Sequence, residues 1–503
     1  MEKRLQKPLY AAFFLSIFFF LFFWFFRLHP LIPFNGDDWT YLAYARLATP
    51  IWGDWNPAKV FPEIVLPFFS TIAAFVLTPL TGDYITAQTL MHAVVVSAAI
   101  TGYLYCFSHF MRQVFSFSRI TTAVLTAIFF SLHFLVLRTA QQDNAYLFLC
   151  NDLNCYYNYL LPSLLNISMV MLLAADEKLE AFFKAARPEV KGFLLVIVYL
   201  AIFSNLPASG ILAAYAGARV LLSLIRQGKR LKLRSFLSDN CLFLGILAAW
   251  LVSAVFELNG GRAAGSPLSQ VSLLKQLRIT CHLLKSVLLE SNRLFLISSG
   301  IVGAGAIVCM LLDGGIRSLN AKLASVLGTL LIATAALFVY MILLCAAVGP
   351  ATILRSEYLF AIYVPVFLFI LLALGYLLSR FPRLMVVVPL LTLFLISSIN
   401  TSGNTFQESN AFGLSAEKCG ALSRFIVEQF QTADAAGQQE MELHVPQFAA
   451  EPEAGDNWPY TLFLLHRIPG TLYSHGVTSQ LIDITPVIDP AVNEMFRIPL
   501  PSE

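Results

Sequence analysis

Twelve apolar stretches punctuate this chain, and they leave it few ways to fold. They run Tyr10–Phe26, Phe61–Leu80, Leu90–Met111, Thr121–Leu137, Tyr159–Ala174, Gly192–Ser204, Ala208–Ile225, Cys241–Phe256, Leu294–Leu312, Lys322–Cys345, Leu359–Leu378 and Met385–Ile399. A bilayer's hydrocarbon core is about 30 Å thick, and a helix crosses it in about 20 residues. Apolar stretches of that order, recurring between short polar connectors, predict a polytopic α-helical membrane protein.

Composition points the same way. Hydrophobic residues make up 58% of the chain and charged residues 13%, against roughly 45–50% and 25% in soluble domains. Phe alone accounts for 43 residues, many of them between Phe13 and Phe26. The net charge of +3 does not describe a nucleic-acid binder, because the basic residues sit in short clusters between apolar stretches. Such clusters act as orientation signals. No Walker loop, zinc-ligand spacing, nucleophile elbow or dinucleotide fingerprint occurs, so the soluble-enzyme classes find no support.

Tyr10–Phe26 follows Lys3, Arg4 and Lys7 without a small-residue cleavage pattern. It reads as an uncleaved first membrane helix with a cytoplasmic N-terminus. The run Arg226–Arg234 (RQGKRLKLR) is the strongest cytoplasmic signal; Arg380/Arg383, the Arg317–Lys322 turn and the Lys178–Lys191 loop agree with it. Counting outward places the connectors after Phe256 and Cys345, and everything after Ile399, outside. Counting back places Ala140–Tyr157 outside as well, which conflicts in parity with an external first loop. One segment must then enter and leave by the same face, and Gly192–Ser204, ending in Ser204-Asn205-Leu206-Pro207, is a candidate.

From Asn400 to Glu503 the chain changes character, with four basic against thirteen acidic side chains and a net charge of −9. Ser415–Phe430 carries Leu422, Phe425, Ile426 and Phe430 at helical spacing. Glu442–Val445, Thr461–Leu465 and Thr471–Tyr473 read as short strands. We therefore expect a transmembrane domain over 1–399, with functional external loops near 28–60 and 138–158, and a small α/β or α+β C-terminal soluble domain over 400–503.

The polar residues that could carry chemistry gather in connectors. The first connector holds Asn35-Gly36-Asp37-Asp38-Trp39, then Tyr41, Arg46, Trp52, Asp54, Trp55 and Lys59, with Glu63 at the mouth of the next stretch. Two adjacent carboxylates suit a general base or a cation, and Trp and Tyr suit stacking on sugar faces; an aromatic interfacial belt with solvated acids is the alternative. A second connector holds Asp143, Asn144, Asn151, Asp152, Asn154, Tyr156, Tyr157 and Asn158, a second wall of one cleft or an ordinary hydrated loop. Cys150 and Cys155 share it, and pair only if it faces an oxidising compartment. Arg355 and Glu357 precede the Leu359–Leu378 stretch. The guanidinium fork of Arg355 suits a phosphate at headgroup level, while pairing with Glu357 or snorkelling to lipid are its structural alternatives. Between Glu257 and Asn292, Arg262, Lys275, Arg278, His282 and Lys285 interleave with leucines as an amphipathic basic helix on a membrane face.

The pattern Asn35–Trp39 resembles that of the GT-C superfamily of membrane glycosyltransferases, in which an acidic pair sits in the first external loop. Pro62-Glu63, the second acidic loop and the late Arg355 loop are similar too. The tail motifs Asp456-Asn457-Trp458-Pro459 and Leu472-Tyr473-Ser474-His475-Gly476 resemble those of bacterial serotype-converting O-antigen glucosyltransferases. The resemblance implies a GT-C-like fold and a bacterial inner-membrane enzyme with an extracytoplasmic C-terminal domain. Such an enzyme moves a sugar, with inversion, from a polyprenyl-phosphate donor to a lipid-linked or envelope glycan. Asp37 or Asp38 would deprotonate the acceptor hydroxyl and Arg355 would steady the departing lipid phosphate. Trp39, Arg46, Glu63, Asp143, Asp152 and Tyr157 would line the substrates. Its partners would be those two substrates and membrane lipids, not nucleic acid, and a monophosphate leaving group implies no obligatory metal or other cofactor. The family's acids are spaced where these are adjacent, which leaves the base undecided between the two. A transporter or flippase of lipid-linked saccharides, an O-antigen ligase or polymerase, and a non-catalytic assembly protein are the competing readings.

Overall fold

The computed structural model describes residues 2–43, 57–137, 146–176, 186–228, 232–259, 272–315, 319–397, 414–449, 457–458 and 467–501. In chain order the helices are α1 (Glu2–Phe23, continued by a π-helical turn Trp24–Leu28), α2 (Gly36–Ala43), α3 (Phe61–Thr81), α4 (Tyr84–Phe115), α5 (Arg119–Leu135) and α6 (Leu153–Ala175). They continue with α7 (Pro188–Ile202), α8 (Leu206–Gln227), α9 (Leu233–Asp239), α10 (Cys241–Leu258), α11 (Leu273–Glu290), α12 (Arg293–Leu312), α13 (Ala321–Val348), α14 (Ser356–Arg380) and α15 (Val387–Ser397). The C-terminal segment adds α16 (Ala416–Ala435), β1 (Glu440–Val445), α17 (Arg467–Ser474), β2 (Asp483–Ile488) and α18 (Pro490–Phe496).

Among the described residues, nine helices are long and apolar enough to cross a membrane: the segment Lys7–Leu28, then α3, α4, α6, α8, α10, α12, α13 and α14. The chain is a multi-pass helical membrane protein. Many side chains on these helices have no protein to pack against, as with Leu312 at 81% and Leu80 at 78% exposure, which is the surface lipid covers. The three remaining apolar stretches form shorter helices, α5 with 17 residues, α7 with 15 and α15 with 11. Proline and capping side chains set several ends. Asn205 caps α8 by accepting the Ala208 N–H at 2.9 Å, just after α7 stops.

Contacts divide the chain into two compact units. The first comprises Met1–Ser16, Ala99–Leu149 and Tyr159–Gly403. Its core is aromatic: Phe107 stacks on Phe129 at 4.0 Å and His133 on Phe148 at 4.4 Å. A Cβ on Gly375 would come within 2.6 Å of the Phe115 ring, so only glycine lets these elements meet this closely. In the same unit α11 is amphipathic as expected, burying Gln276, Thr280, Leu284 and Val287 along one stripe, while Leu273 and Leu274 stay exposed.

The second unit comprises Ile17–Ala98, Cys150–Asn158 and Asn404–Glu503. Its C-terminal part holds a two-stranded parallel sheet in which Glu440 pairs with Asp483 and Val445 with Ile488. Parallel strands need a crossover, and α17 lies on it. Helix α16 buries Leu422, Ile426 and Phe430 as its spacing predicts, while Phe425 meets Phe496 edge-on. Thr471–Tyr473 is helical in α17, not a strand. Ile468, Thr471 and Leu472 are buried three and four residues apart, and that helical stripe outweighs the β-propensity of a Thr-Leu-Tyr triplet. Thr461–Leu465 lies outside the described residues. Cys150 and Cys155 are both buried and are not joined in a disulfide.

Candidate functional site

The second unit brings the Asp-Asp motif, part of the second connector and the C-terminal segment together. Helix α2 starts where Asn35 places its carbonyl to accept the Trp39 N–H at 3.2 Å. Asp38, three residues on, reaches back so that one carboxylate oxygen accepts the N–H groups of Asn35 at 3.1 Å and Phe34 at 3.0 Å. This is the return half of a capping box, which a carboxylate at the third helical position performs well. Its other oxygen accepts the Asn154 N–H at 2.8 Å. The side chain is 1% exposed. Burial, and next the charge of Asp152, push the Asp38 pKa well above the ordinary carboxylate value, against the pull of the three amides.

Asp37 has a different setting. It is exposed, in the first turn of α2, with backbone N–H groups and the positive end of a short helix behind it. Asp152 also serves the backbone, its carboxylate accepting the Cys155 N–H at 2.6 Å to cap the first turn of α6. Glu63 is buried in a π-helical turn, Phe61–Val65, that opens α3. Its N–H donates to the carbonyl of Lys59, a residue held at a left-handed φ of 58°. Strain of this kind tends to collect at functional sites.

Tyr157 sits in a second π-helical turn, Tyr156–Leu160, and is fully buried. Its hydroxyl meets His92 Nδ1 at 2.7 Å. His92 Nε2 faces Ser70 Oγ at 3.2 Å and Gln88 Oε1 at 3.3 Å, and Gln88 donates to the Ser70 carbonyl at 3.0 Å. A histidine satisfied on both nitrogens inside an apolar helix is a strongly specified feature. Nearby in this unit, His475 Nδ1 meets the Tyr84 hydroxyl at 2.7 Å. Burial lowers the His475 pKa to about 4, with the Leu42 carbonyl opposing the shift. Neither His92 nor the partner of His475 could be singled out from sequence, because each is one polar residue among many.

Trp39 is fully buried, and its carbonyl accepts the Thr471 hydroxyl at 2.6 Å. Two further donors of the C-terminal segment close on the same stretch of chain: Trp458 Nε1 to the Phe34 carbonyl at 2.9 Å and Ser423 Oγ to the Pro33 carbonyl at 2.7 Å. Asn457 orders its own surroundings, accepting the Phe448 N–H at 2.6 Å and donating to the Pro446 carbonyl at 2.9 Å. An ion pair of 2.8 Å between Arg424 and Asp83 adds a charged contact. Arg46 and Asp143 lie outside the described residues.

Arg355 belongs to the first unit. It sits at the N-terminus of α14, pairs with Glu357 at 2.9 Å, and lies 5.1 Å from the centre of the Tyr159 ring. The arginine side chain is 35% exposed and the glutamate 1%. Glu357 and the Tyr159 ring therefore both constrain a guanidinium that is still partly exposed. Among the described residues, no group of three or more His, Cys, Asp or Glu side chains is placed to hold a metal ion. No family model matches this chain, and no curated protein or solved structure matches it.

Proposed function

We propose that this chain is a GT-C-like inverting glycosyltransferase, which moves a sugar from a polyprenyl-phosphate donor to a cell-envelope glycan, with Asp37 as its general base. The observation that carries the reading is the division of labour between the two acids. Asp38 spends both oxygens on backbone amides, whereas its neighbour Asp37 is exposed just after the first apolar helix. In one displacement the acceptor oxygen bonds to the anomeric carbon as the bond to the lipid phosphate breaks, and Asp37 takes the hydroxyl proton. Arg355, with its planar donor fork positioned by Glu357 and Tyr159, is assigned to the charge on the departing phosphate. The remaining assignments follow the same reading: the bacterial inner membrane, an extracytoplasmic segment 400–503, and no obligatory metal.

A transport reading draws on one observation, the hydrogen-bonded His92 buried in α4, since polar residues inside membrane helices often mark a path. One assay separates the two. Membranes carrying the protein are given a radiolabelled polyprenyl-phosphate sugar, and label in envelope glycan is measured for wild type, Asp37→Asn, Asp38→Asn and Arg355→Ala. Transfer by wild type that Asp37→Asn abolishes supports the enzyme. Label that crosses the bilayer still attached to lipid, with no glycan product, would replace it with a transporter.

A further inference from the structure

A second site lies in the first unit, at the end of α8 that bears the basic run. A cavity of about 290 Å³ is lined there by Arg219, Ser223, Arg226 and Gln227 of α8 together with Asp239 and Asn240 at the joint of α9 and α10. The four α8 residues are spaced i, i+4, i+7 and i+8, which puts them on one face of the helix. Asn240 forms a polar floor: it is 4% exposed and donates to Ser223 Oγ and to the Phe236 carbonyl, both at 2.9 Å. The Arg219 guanidinium lies 5.4 Å from the centre of the Phe243 ring, which holds it in place without neutralising it. Among the described residues neither arginine forms an ion pair. Asp239 accepts the Ser235 hydroxyl at 3.1 Å and contributes the one negative charge of the lining.

Two guanidiniums and one carboxylate leave the cavity one positive charge in excess, a match for a monoanionic phosphodiester rather than for a dianionic phosphate. The helices that carry it are apolar away from the cavity: Leu221, Leu224 and Ile225 lie across α8 from the lining residues and, with Leu233 and Leu237 of α9, are 42–65% exposed. A polar, cationic cavity at the end of a membrane helix with such uncovered apolar side chains fits a ligand with a phosphate at one end and acyl chains at the other. We infer that this cavity binds the phosphodiester headgroup of an anionic phospholipid. The site is independent of the proposed glycosyl transfer.

The test uses the full chain purified in neutral detergent, with phosphatidylglycerol, phosphatidylcholine or inorganic phosphate added. Bound lipid is counted by native mass spectrometry and stabilisation is followed by thermal unfolding. Phosphatidylglycerol is expected to bind and to raise the unfolding temperature. Arg226→Gln, at an exposed position, and Arg219→Lys, which keeps the charge but loses the fork, are each expected to weaken that binding about tenfold. Arg383→Gln, a basic residue outside the cavity, leaves it unchanged. Equal binding of phosphatidylcholine would overturn the inference, as would undiminished binding by both cavity variants. Stabilisation by inorganic phosphate alone to the same extent would assign the cavity to a soluble anion and overturn the lipid.

Discussion

Trp458 donates its indole N–H to the carbonyl oxygen of Phe34 across 2.9 Å, and its ring stacks on the Phe34 ring with centroids 4.8 Å apart. The two residues are 424 positions apart in sequence, and the bond fixes the backbone immediately before α2. Trp458→Phe retains an aromatic ring but leaves a buried carbonyl without its donor, a loss of about 1–3 kcal/mol. The expected result is a lower unfolding temperature and faster proteolysis of the 414–501 segment. Unchanged values for both would show that this bond contributes nothing to holding the two stretches together.

The two adjacent acids are expected to fail in different ways. Asp38→Asn replaces one accepting oxygen by an NH₂ group, so at least one of the amides of Phe34, Asn35 and Asn154 loses its acceptor. That costs about 1–3 kcal/mol of stability. Asp37→Asn, at an exposed position, changes stability by no more than about 0.5 kcal/mol while lowering transfer by roughly 10²–10⁴-fold. Thermal unfolding and transfer measured on both variants check this. Matching stability losses would remove the distinction between them.

Acid should loosen the second unit through His475. Its folded pKa is lowered to about 4 by burial, below the roughly 6.5 of an exposed histidine. Between those values the unfolded chain binds the extra proton and the folded chain does not. Stability is therefore complete above about 6.5 and declines as the pH falls toward 4, by up to about 3 kcal/mol. Unfolding temperature recorded across this window should show the decline, and His475→Gln should flatten it. A wild-type curve that is flat between pH 6.5 and 4 would contradict the burial of a neutral imidazole.

The Arg355–Glu357 pair permits a separation of structure from substrate use. Arg355→Ala strands a nearly inaccessible carboxylate, and removing one partner of such a pair costs up to about 3–5 kcal/mol, less here because the arginine is partly exposed. Arg355→Ala/Glu357→Gln removes that stranded charge, so stability is expected to return while use of the polyprenyl-phosphate donor does not. Full recovery of transfer in the double variant would confine Arg355 to a structural role.

Much of the helical scaffold was legible because membrane helices need only length and apolarity. In Ser356–Arg380 that signal prevails even over Pro365 inside the helix. The C-terminal segment was harder, since its short elements depend on what they pack against. Helix α16 announced itself through Leu422, Ile426 and Phe430, whereas the helix at Thr471 rests on the burial of Ile468, Thr471 and Leu472 along one stripe, with the Thr471 hydroxyl bonded to the Trp39 carbonyl. The same limit left the Asp37–Asp38 choice open. That Asp38 accepts the Asn154 N–H depends on a residue 116 positions away, and no local spacing encodes that. His92 and Tyr157 show the limit from the other side: Tyr157 stands out in a polar connector, but its partner His92 is one letter in an apolar stretch, and the two become a bonded pair only when α4 and α6 meet.

The donors that grip the chain before and within α2 also impose an order on biosynthesis. The carbonyls of Pro33, Phe34 and Trp39 emerge from the ribosome early, but their partners Ser423, Trp458 and Thr471 are translated about 400 residues later. At roughly 5–20 residues per second, that interval lasts on the order of tens of seconds. Throughout it the nascent protein can thread its apolar helices into the bilayer while the acidic loop lacks its final brace. A truncated product released between residues 381 and 422 would carry all nine long helices of the described residues and none of these three donors, so synthesis of residues 423–471 is the step that braces the stretch before and within α2.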